Sequence, residues 1–413
     1  MWTALAVLLA TTLLAVEPTP RDALVITRVS VIDPVAGISK PDRDVVLRGG
    51  RIEAVASGRL ARLPRAARLV DGAGKYLMPG LWDMHVHLGG DDRTLQRLLA
   101  SGITGVRDMG GDLPPLSEAR RRIAAGERDG PRLVIAGPIL RGPTSPSDAS
   151  DAQSVVIRTA AEGRRAVESL WAERVDFVKV HEDLSRPALL AIVAAARARR
   201  LPCVGHVPSA LTPREVSDLG LRSIEHLEFV PDQCLALFNP GTEGAAPVPA
   251  DVCGAPALAS LLQGLARRGT WLDPTISSFR YWAPQQWDAI FGGFRGVARE
   301  LRRSGVGLLA GTDWSSSLQS RGARPGSGLH EELALLVDSG FTPAEALRAA
   351  TSNPAAFLGL SKALGAVEAG KSADLVLLDG DPLQDIRNSA RVAAVIREGR
   401  LFRVRDGELL PPD

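Results

Sequence analysis

Cysteine is scarce in this chain, with three in 413 residues, and an odd number excludes complete pairing into disulfides. An excess of charge is missing too: the formal net charge is +2, with acids and bases interspersed. That balance gives neither a basic stripe for nucleic acid nor a patch for an anionic membrane. Long apolar runs are equally rare. The opening stretch, MWTALAVLLATTLLAVEPTPRD, has no charged side chain before Glu17, and its apolar run of about 15 residues is too short to span a bilayer. It reads as a secretory signal over residues 1–20, although no Lys or Arg precedes it and no small-x-small cleavage site follows. No cysteine lies near enough for a lipid anchor. The expected location is therefore periplasmic or secreted, with no integral span in the mature chain.

The three thiols divide by context. Cys203 lies inside an apolar strand and reads as a packed thiol. Cys234 and Cys253 flank a Pro, Gly and Ala-rich insertion, FNPGTEGAAPVPADV, which they could close in an oxidising compartment. Two independent surface thiols are the alternative.

What the chain does have is 45% hydrophobic residues, enough for one large core and a smaller one. Residues 23–55 form short alternating Val and Ile segments broken by Asp-Pro and Gly-Gly, and 66–78 add a further hairpin-like piece. The segments ADLVLLDGDPL, AAVIREGRLFRV and DGELL repeat that style at the far end. The two ends are expected to form one small β-sandwich domain, 21–78 with 364–413.

Between them, over 79–363, the pattern is strand, turn, helix. Candidate strands end at His87, Asp108, Gly137, His181, His206, His226, Thr275 and Asp313, with helical stretches such as PALLAIVAAARARR and LHEELALLVDSG between. Eight such units over roughly 270 residues match an α/β fold of the (β/α)8 TIM-type barrel. A doubly wound open sheet fits less well, because no glycine-rich phosphate fingerprint follows the first strand.

In a barrel the C-terminal strand ends share one mouth, which makes scattered residues one site. His85 and His87, in WDMHVHLG, are one residue apart and so share a strand face, with Asp83 one step below. Lys179, His206, His226 and Asp313 would join them. Four imidazoles and a carboxylate exceed the needs of one tetrahedral zinc, so two ions, or one with a large supporting shell, are implied. The lysine conflicts with this. An ammonium beside divalent cations is repelled, so it must be neutral, displaced or chemically changed.

The motifs HVH, VKV, GH, EH and GTD, in that order, resemble the amidohydrolase superfamily of metal-dependent barrel hydrolases. The run HEELALLVDSGFTPAEALRAATSNPAAFLGL followed by LGAVEAGKSADLVLLDGDP is similar to the branch of imidazolonepropionase-like proteins and Xaa-Pro or Xaa-Arg dipeptidases. The resemblance implies two divalent ions, zinc by preference, and a carboxylated Lys179 whose carbamate bridges them. It assigns His85, His87 and Asp313 to one ion and His206 and His226 to the other. It also implies a shared hydroxide as nucleophile, with Asp313 as general base and then acid, cleaving an amide-type C–N bond in a dipeptide or an N-acyl amino acid.

HEDL after Lys179 departs from the small, glycine-containing segment of dipeptidase-like relatives, which leaves substrate scope open. His181 shares the face of Lys179 at the rim. His330, Arg141 and Tyr281 are candidate substrate contacts, the arginine suited to a carboxylate. Lactone, ester or phosphotriester hydrolysis on the same centre is the main alternative; a mononuclear cyclic-amide hydrolase or deaminase and a non-catalytic scaffold are the others. The expected partner is a small-molecule substrate and not nucleic acid, and homo-oligomer formation stays open.

Overall fold

The computed structural model describes residues 23–64, 66–144, 148–230 and 255–410. The expected leader over 1–20 and the pair Cys234 and Cys253 lie outside the described residues. Cys203 is a buried free thiol, and burial pushes its pKa up to about 12.

The N-terminal part supplies β1 (Leu24–Asp33), β2 (Ile38–Arg48), β3 (Arg51–Val55), β4 (Arg68–Asp71) and β5 (Tyr76–Pro79). β2 and β3 are joined by Gly49 and Gly50, both with positive φ, at 58° and 79°. A two-residue hairpin turn whose twist matches its strands needs that backbone, which glycine adopts without a Cβ penalty.

The central part follows with β6 (Leu81–Val86), β7 (Ile103–Asp108), β8 (Arg132–Ile135), β9 (Ile139–Arg141), β10 (Ser154–Val156), β11 (Val178–Val180), β12 (Cys203–Gly205), β13 (Leu221–Glu225), β14 (Trp271–Asp273) and β15 (Gly307–Leu308). All their pairings are parallel. The intervening helices include Arg186–Ala198 and Ser327–Asp338, which cover the two stretches expected to be helical. Capping boxes at Thr159 with Glu162, Thr212 with Glu215 and Thr342 with Glu345 start three others, each cap contributing about 1 kcal/mol.

These ten strands fall into a three-stranded sheet, β6-β7-β8, and a seven-stranded one, β10-β9-β11-β12-β13-β14-β15. The expected third strand is β8, and the short β9 and β10 follow it as strands not expected from sequence, with Gly137 (φ 70°) bending the chain between β8 and β9. Backbone hydrogen bonds link the two sheets at either side. The Asp176 N–H donates to Ile135 O at 2.9 Å, and the Met84 and His87 N–H groups donate to Ala310 O and Trp314 O at 3.0 and 2.7 Å.

The C-terminal strands β16 (Leu375–Leu378), β17 (Val392–Arg397), β18 (Arg400–Arg405) and β19 (Glu408–Leu409) return to the first sheet. β16 pairs antiparallel with β5, Leu377 opposite Leu77, so the chain's two ends form one nine-stranded sheet. Leu24, Ile26, Val45, Leu77, Leu375, Ile396 and Leu401 pack together in a core drawn from both ends. The strand pairing gives one continuous sheet here. No helix among the described residues is long and apolar enough to cross a membrane.

Candidate metal centre

β7 ends at Asp108 as expected, the other strands stop one to five residues short of the ends expected from sequence, and the polar side chains stand where the chain leaves the sheet. His87 lies just past β6, His206 just past β12 and His226 just past β13. Strain accompanies this departure. His226, Thr275 and Asp313 hold φ values of 55°, 45° and 53°. Left-handed backbone is costly for any residue with a Cβ, most of all a β-branched one, and it persists where the surroundings enforce it.

The expected residues meet. The ring of His85 lies 5.4 Å from that of His87 and 4.8 Å from that of His226, and His206 lies 4.9 Å from His226. Asp313 Oδ1 stands 3.5 Å from His85 Nε2 and 3.4 Å from His87 Nε2. Ligand atoms of His85, His226 and Asp313 lie within 4.8 Å of one another, close enough to share an ion.

Two atoms at this centre point to something that is not protein. His85 Nε2 and Lys179 Nζ are buried without a hydrogen-bond partner. Lys179 is only 1% exposed, and an unpaired ammonium there would cost several kcal/mol, on the order of the penalty for any buried ion. Burial pushes its pKa down, against the pull of Glu225, Glu228 and Asp313. Burial also depresses His226, to about 3, and His85 well below the ordinary imidazole value. Neutral imidazoles with free lone pairs are the form that binds a cation. Burial pushes Asp313 up, but the hydrogen bond from His87 and the nearby His226 outweigh it and hold the carboxyl far below its usual range. The donor set therefore suits divalent metal.

Several supporting groups were not singled out from sequence. The Nδ1 of His85 lies 3.1 Å from Glu225 Oε2, that of His87 2.8 Å from Gly110 O, and that of His226 2.7 Å from Thr275 Oγ1. A hydrogen bond at one ring nitrogen fixes which nitrogen is left to face an ion. Beneath them Arg107, fully buried, donates to Glu225 at 2.8 Å and to Asp273 at 3.2 Å. Glu225 precedes His226, and strict alternation would turn it away. The left-handed backbone at His226 breaks the alternation, so both side chains approach His85. Asp83 accepts from the Thr312 N–H and hydroxyl at 3.0 and 2.7 Å, and burial raises its pKa to about 7.

At the rim, His181 stacks on His206 at 4.5 Å, and its Nδ1 lies 3.2 Å from Asp183 Oδ1. Glu228 Oε1 is 2.8 Å from His206 Nδ1, though outside hydrogen-bond geometry, and Glu182 Oε2 is 3.7 Å away. That carboxylate pair was not anticipated.

Two of the expected substrate contacts, His330 and Arg141, are engaged elsewhere. Both ring nitrogens of His330 are occupied, by Ser389 Oγ and Ser101 O at 3.0 Å each, so it ties its helix to neighbouring segments. Arg141 grips Asp148 with both terminal nitrogens and Ser154 with Nε, which leaves no fork for a substrate carboxylate. Tyr281 packs against the central core; its neighbour Trp282 is the residue that reaches the centre, donating its indole N–H to Asp313 Oδ2 at 2.9 Å.

A sequence profile of the Amidohydrolase family matches residues 76–402, most of the chain. The chain belongs to the Amidohydrolase family. This amidohydrolase is accordingly a hydrolase, in a family that generally uses divalent metals. It is similar to the ochratoxinase of Aspergillus niger, 25% identical over 392 residues that cover 79% of this chain and 75% of that protein. It is also similar to the imidazolonepropionase of Rubrobacter xylanophilus, 27% identical over 400 residues covering 81% and 83%. Among solved structures, a putative prolidase from Bifidobacterium longum superposes with a TM-score of 0.75 at 26% identity, covering 95% of each chain. These relatives agree with the imidazolonepropionase-like and dipeptidase-like branch read from the motifs.

Proposed function

We propose that this amidohydrolase cleaves an amide-type C–N bond in a dipeptide or an N-acyl amino acid. In this reading eight of the parallel strands between β6 and β15 close a (β/α)8 barrel over 79–363, flanked by a β-sandwich from 21–78 and 364–413. The observation that carries the reading is Lys179, a buried amine with no partner among four imidazoles and Asp313. A plain lysine has no role there, whereas its carbamate is an anionic oxygen donor.

His85, His87 and Asp313 would hold one divalent ion and His206 and His226 a second, with carboxylated Lys179 between them; zinc suits such nitrogen and oxygen ligands. Ions bound there supply Lewis-acid polarisation of the scissile carbonyl and a water acidic enough to ionise near neutrality. The chain's own groups supply the rest. Burial pushes the Lys179 pKa down and so favours the neutral amine, the form that can take up carbon dioxide. Glu225 and Gly110 fix the rings of His85 and His87. Asp313, held ionised, takes the proton of the attacking water and delivers it to the leaving amine, while the indole N–H of Trp282 orients its second oxygen.

Relatives named ochratoxinase, imidazolonepropionase and prolidase support a C–N hydrolase. The test is metal content per chain, with carbon-13 bicarbonate labelling of Lys179, followed by assays across dipeptides, N-acyl amino acids and lactones. Two metals, a labelled lysine and turnover of a C–N substrate are expected. Lactone turnover with no activity on any C–N substrate would overturn the assignment.

A further inference from the structure

A cavity of about 550 Å³ opens beside His226 and Asp313. Leu227, Phe279, Trp282 and Ile290 give it an apolar wall, and Glu228 stands at its edge. Clefts of about 660 and 690 Å³ lie elsewhere, against the terminal sheet and beside Arg267 and Arg268, and neither touches a histidine of the centre. Of these three, the cavity beside His226 and Asp313 is the one that can bring a ligand to the reacting groups.

Trp282 joins this cavity to the chemistry. It is 42% exposed, a large aromatic surface open to solvent beside Asp313, which is 8% exposed. The Arg321 guanidinium lies 4.9 Å from its ring centre and steadies it. Its N–H holds Asp313 Oδ2, while Oδ1 faces His85 and His87. The two carboxylate oxygens are thus divided between the cavity wall and the imidazoles. No Lys or Arg is among the cavity's described lining residues, and Glu228 would repel a carboxylate.

We propose that this cavity is the specificity pocket, taking a bulky, uncharged, apolar group next to the scissile bond, and that Trp282 is a positioning residue coupling pocket occupancy to the orientation of Asp313. The proposal rests on the C–N hydrolase reading above. A group covering the exposed indole restricts its motion and, through the N–H, that of Asp313. Discrimination then shows in kcat as well as KM.

The test uses the full chain loaded with zinc and two substrate panels. One varies the acyl group of an N-acyl amino acid through acetyl, hexanoyl, benzoyl and succinyl; the other varies the amine side through Gly, Leu, Phe and Asp. On whichever side enters the pocket, kcat/KM should rise about 10- to 100-fold from the smallest to the aromatic group and fall for the carboxylate-bearing one. Trp282→Phe keeps the ring and loses the donor, so kcat should drop about tenfold, the scale of one lost hydrogen bond, with KM for the aromatic substrate nearly constant. Ile290→Ala should instead raise KM for the aromatic substrate. A merely structural Trp282 would lower the melting temperature and scale every substrate alike.

Flat panels, or a Trp282→Phe effect confined to KM, overturn the proposal. Should no amide be turned over, the C–N reading fails on its own, and calorimetric binding of the same unreacted compounds decides the pocket. Tighter binding of benzoyl or Phe compounds than of acetyl, Gly, succinyl or Asp ones supports it; equal binding overturns it.

Discussion

The histidine cluster and the terminal sheet bury charge in opposite ways. In the sheet, Asp44 is 1% exposed and accepts from the Arg28 and Leu60 N–H groups at 3.0 and 2.8 Å. Asp374, also buried, accepts from Arg397 Nη1 and the Glu398 N–H at 3.0 and 2.8 Å. At the cluster, His85 Nε2, Lys179 Nζ and Asp273 Oδ1 lack any such partner. Backbone conformation differs in the same sense. Positive φ in the sheet falls on exposed turn residues such as Glu398 and Asp406, and at the cluster it falls on His226, Thr275 and Asp313. The sheet closes the hydrogen bonds of its buried carboxylates internally, and the atoms it leaves without a partner are guanidinium nitrogens, Arg43 Nε and Arg397 Nε. The cluster leaves open an imidazole, an amine and a carboxylate oxygen, and carries backbone strain besides.

The contrast is broken most severely by Lys179→Ala. Turnover should fall about 10³-fold or more, with loss of bound metal by elemental analysis, since a metal centre supplies several kcal/mol of transition-state stabilisation. The metal-free variant should melt no lower than the metal-free parent, because a buried amine without a partner is a cost to folding. Arg107→Met removes the countercharge under the cluster and leaves Glu225 and Asp273 unpaired. Urea unfolding should show a loss of about 3–5 kcal/mol.

His330 sharpens the comparison, being a buried histidine that is satisfied within the protein. Burial pushes its pKa down to about 4 from the ordinary 6.5. The unfolded chain therefore takes up the proton first: this contribution is complete above about pH 6.5 and is lost as pH falls towards 4, by roughly 3 kcal/mol. His330→Gln should lack that part of the acid slope, so the stability gap between parent and variant should narrow on acidification, as followed by urea unfolding at pH 7.5 and pH 4.5. Glu225→Gln is a gentler probe of the cluster. It should weaken zinc binding about 10- to 100-fold in competition with a chelator, because the His85 ring loses its charged anchor. The smallest effect belongs to the sheet: Asp406→Gly should raise stability by about 0.5–1 kcal/mol with unchanged turnover, by relieving a left-handed residue in an exposed turn. The same substitution at Asp313 would abolish activity.

Sequence by itself determined the rhythm of short strands and helices, the joining of the two chain ends, and the six polar positions that converge. All of these follow from local periodicity and from the rule that parallel strands present their C-terminal ends to one side. Side-chain commitments were decided only by tertiary structure. His85 meets Glu225 across 140 positions, and His330 meets Ser101 across 229. Arg141 is claimed by Asp148, and Trp282, not Tyr281, reaches Asp313. Periodicity fixes the face on which a residue stands. Which partner satisfies its last hydrogen bond depends on packing between segments far apart in the chain, and no local pattern encodes that.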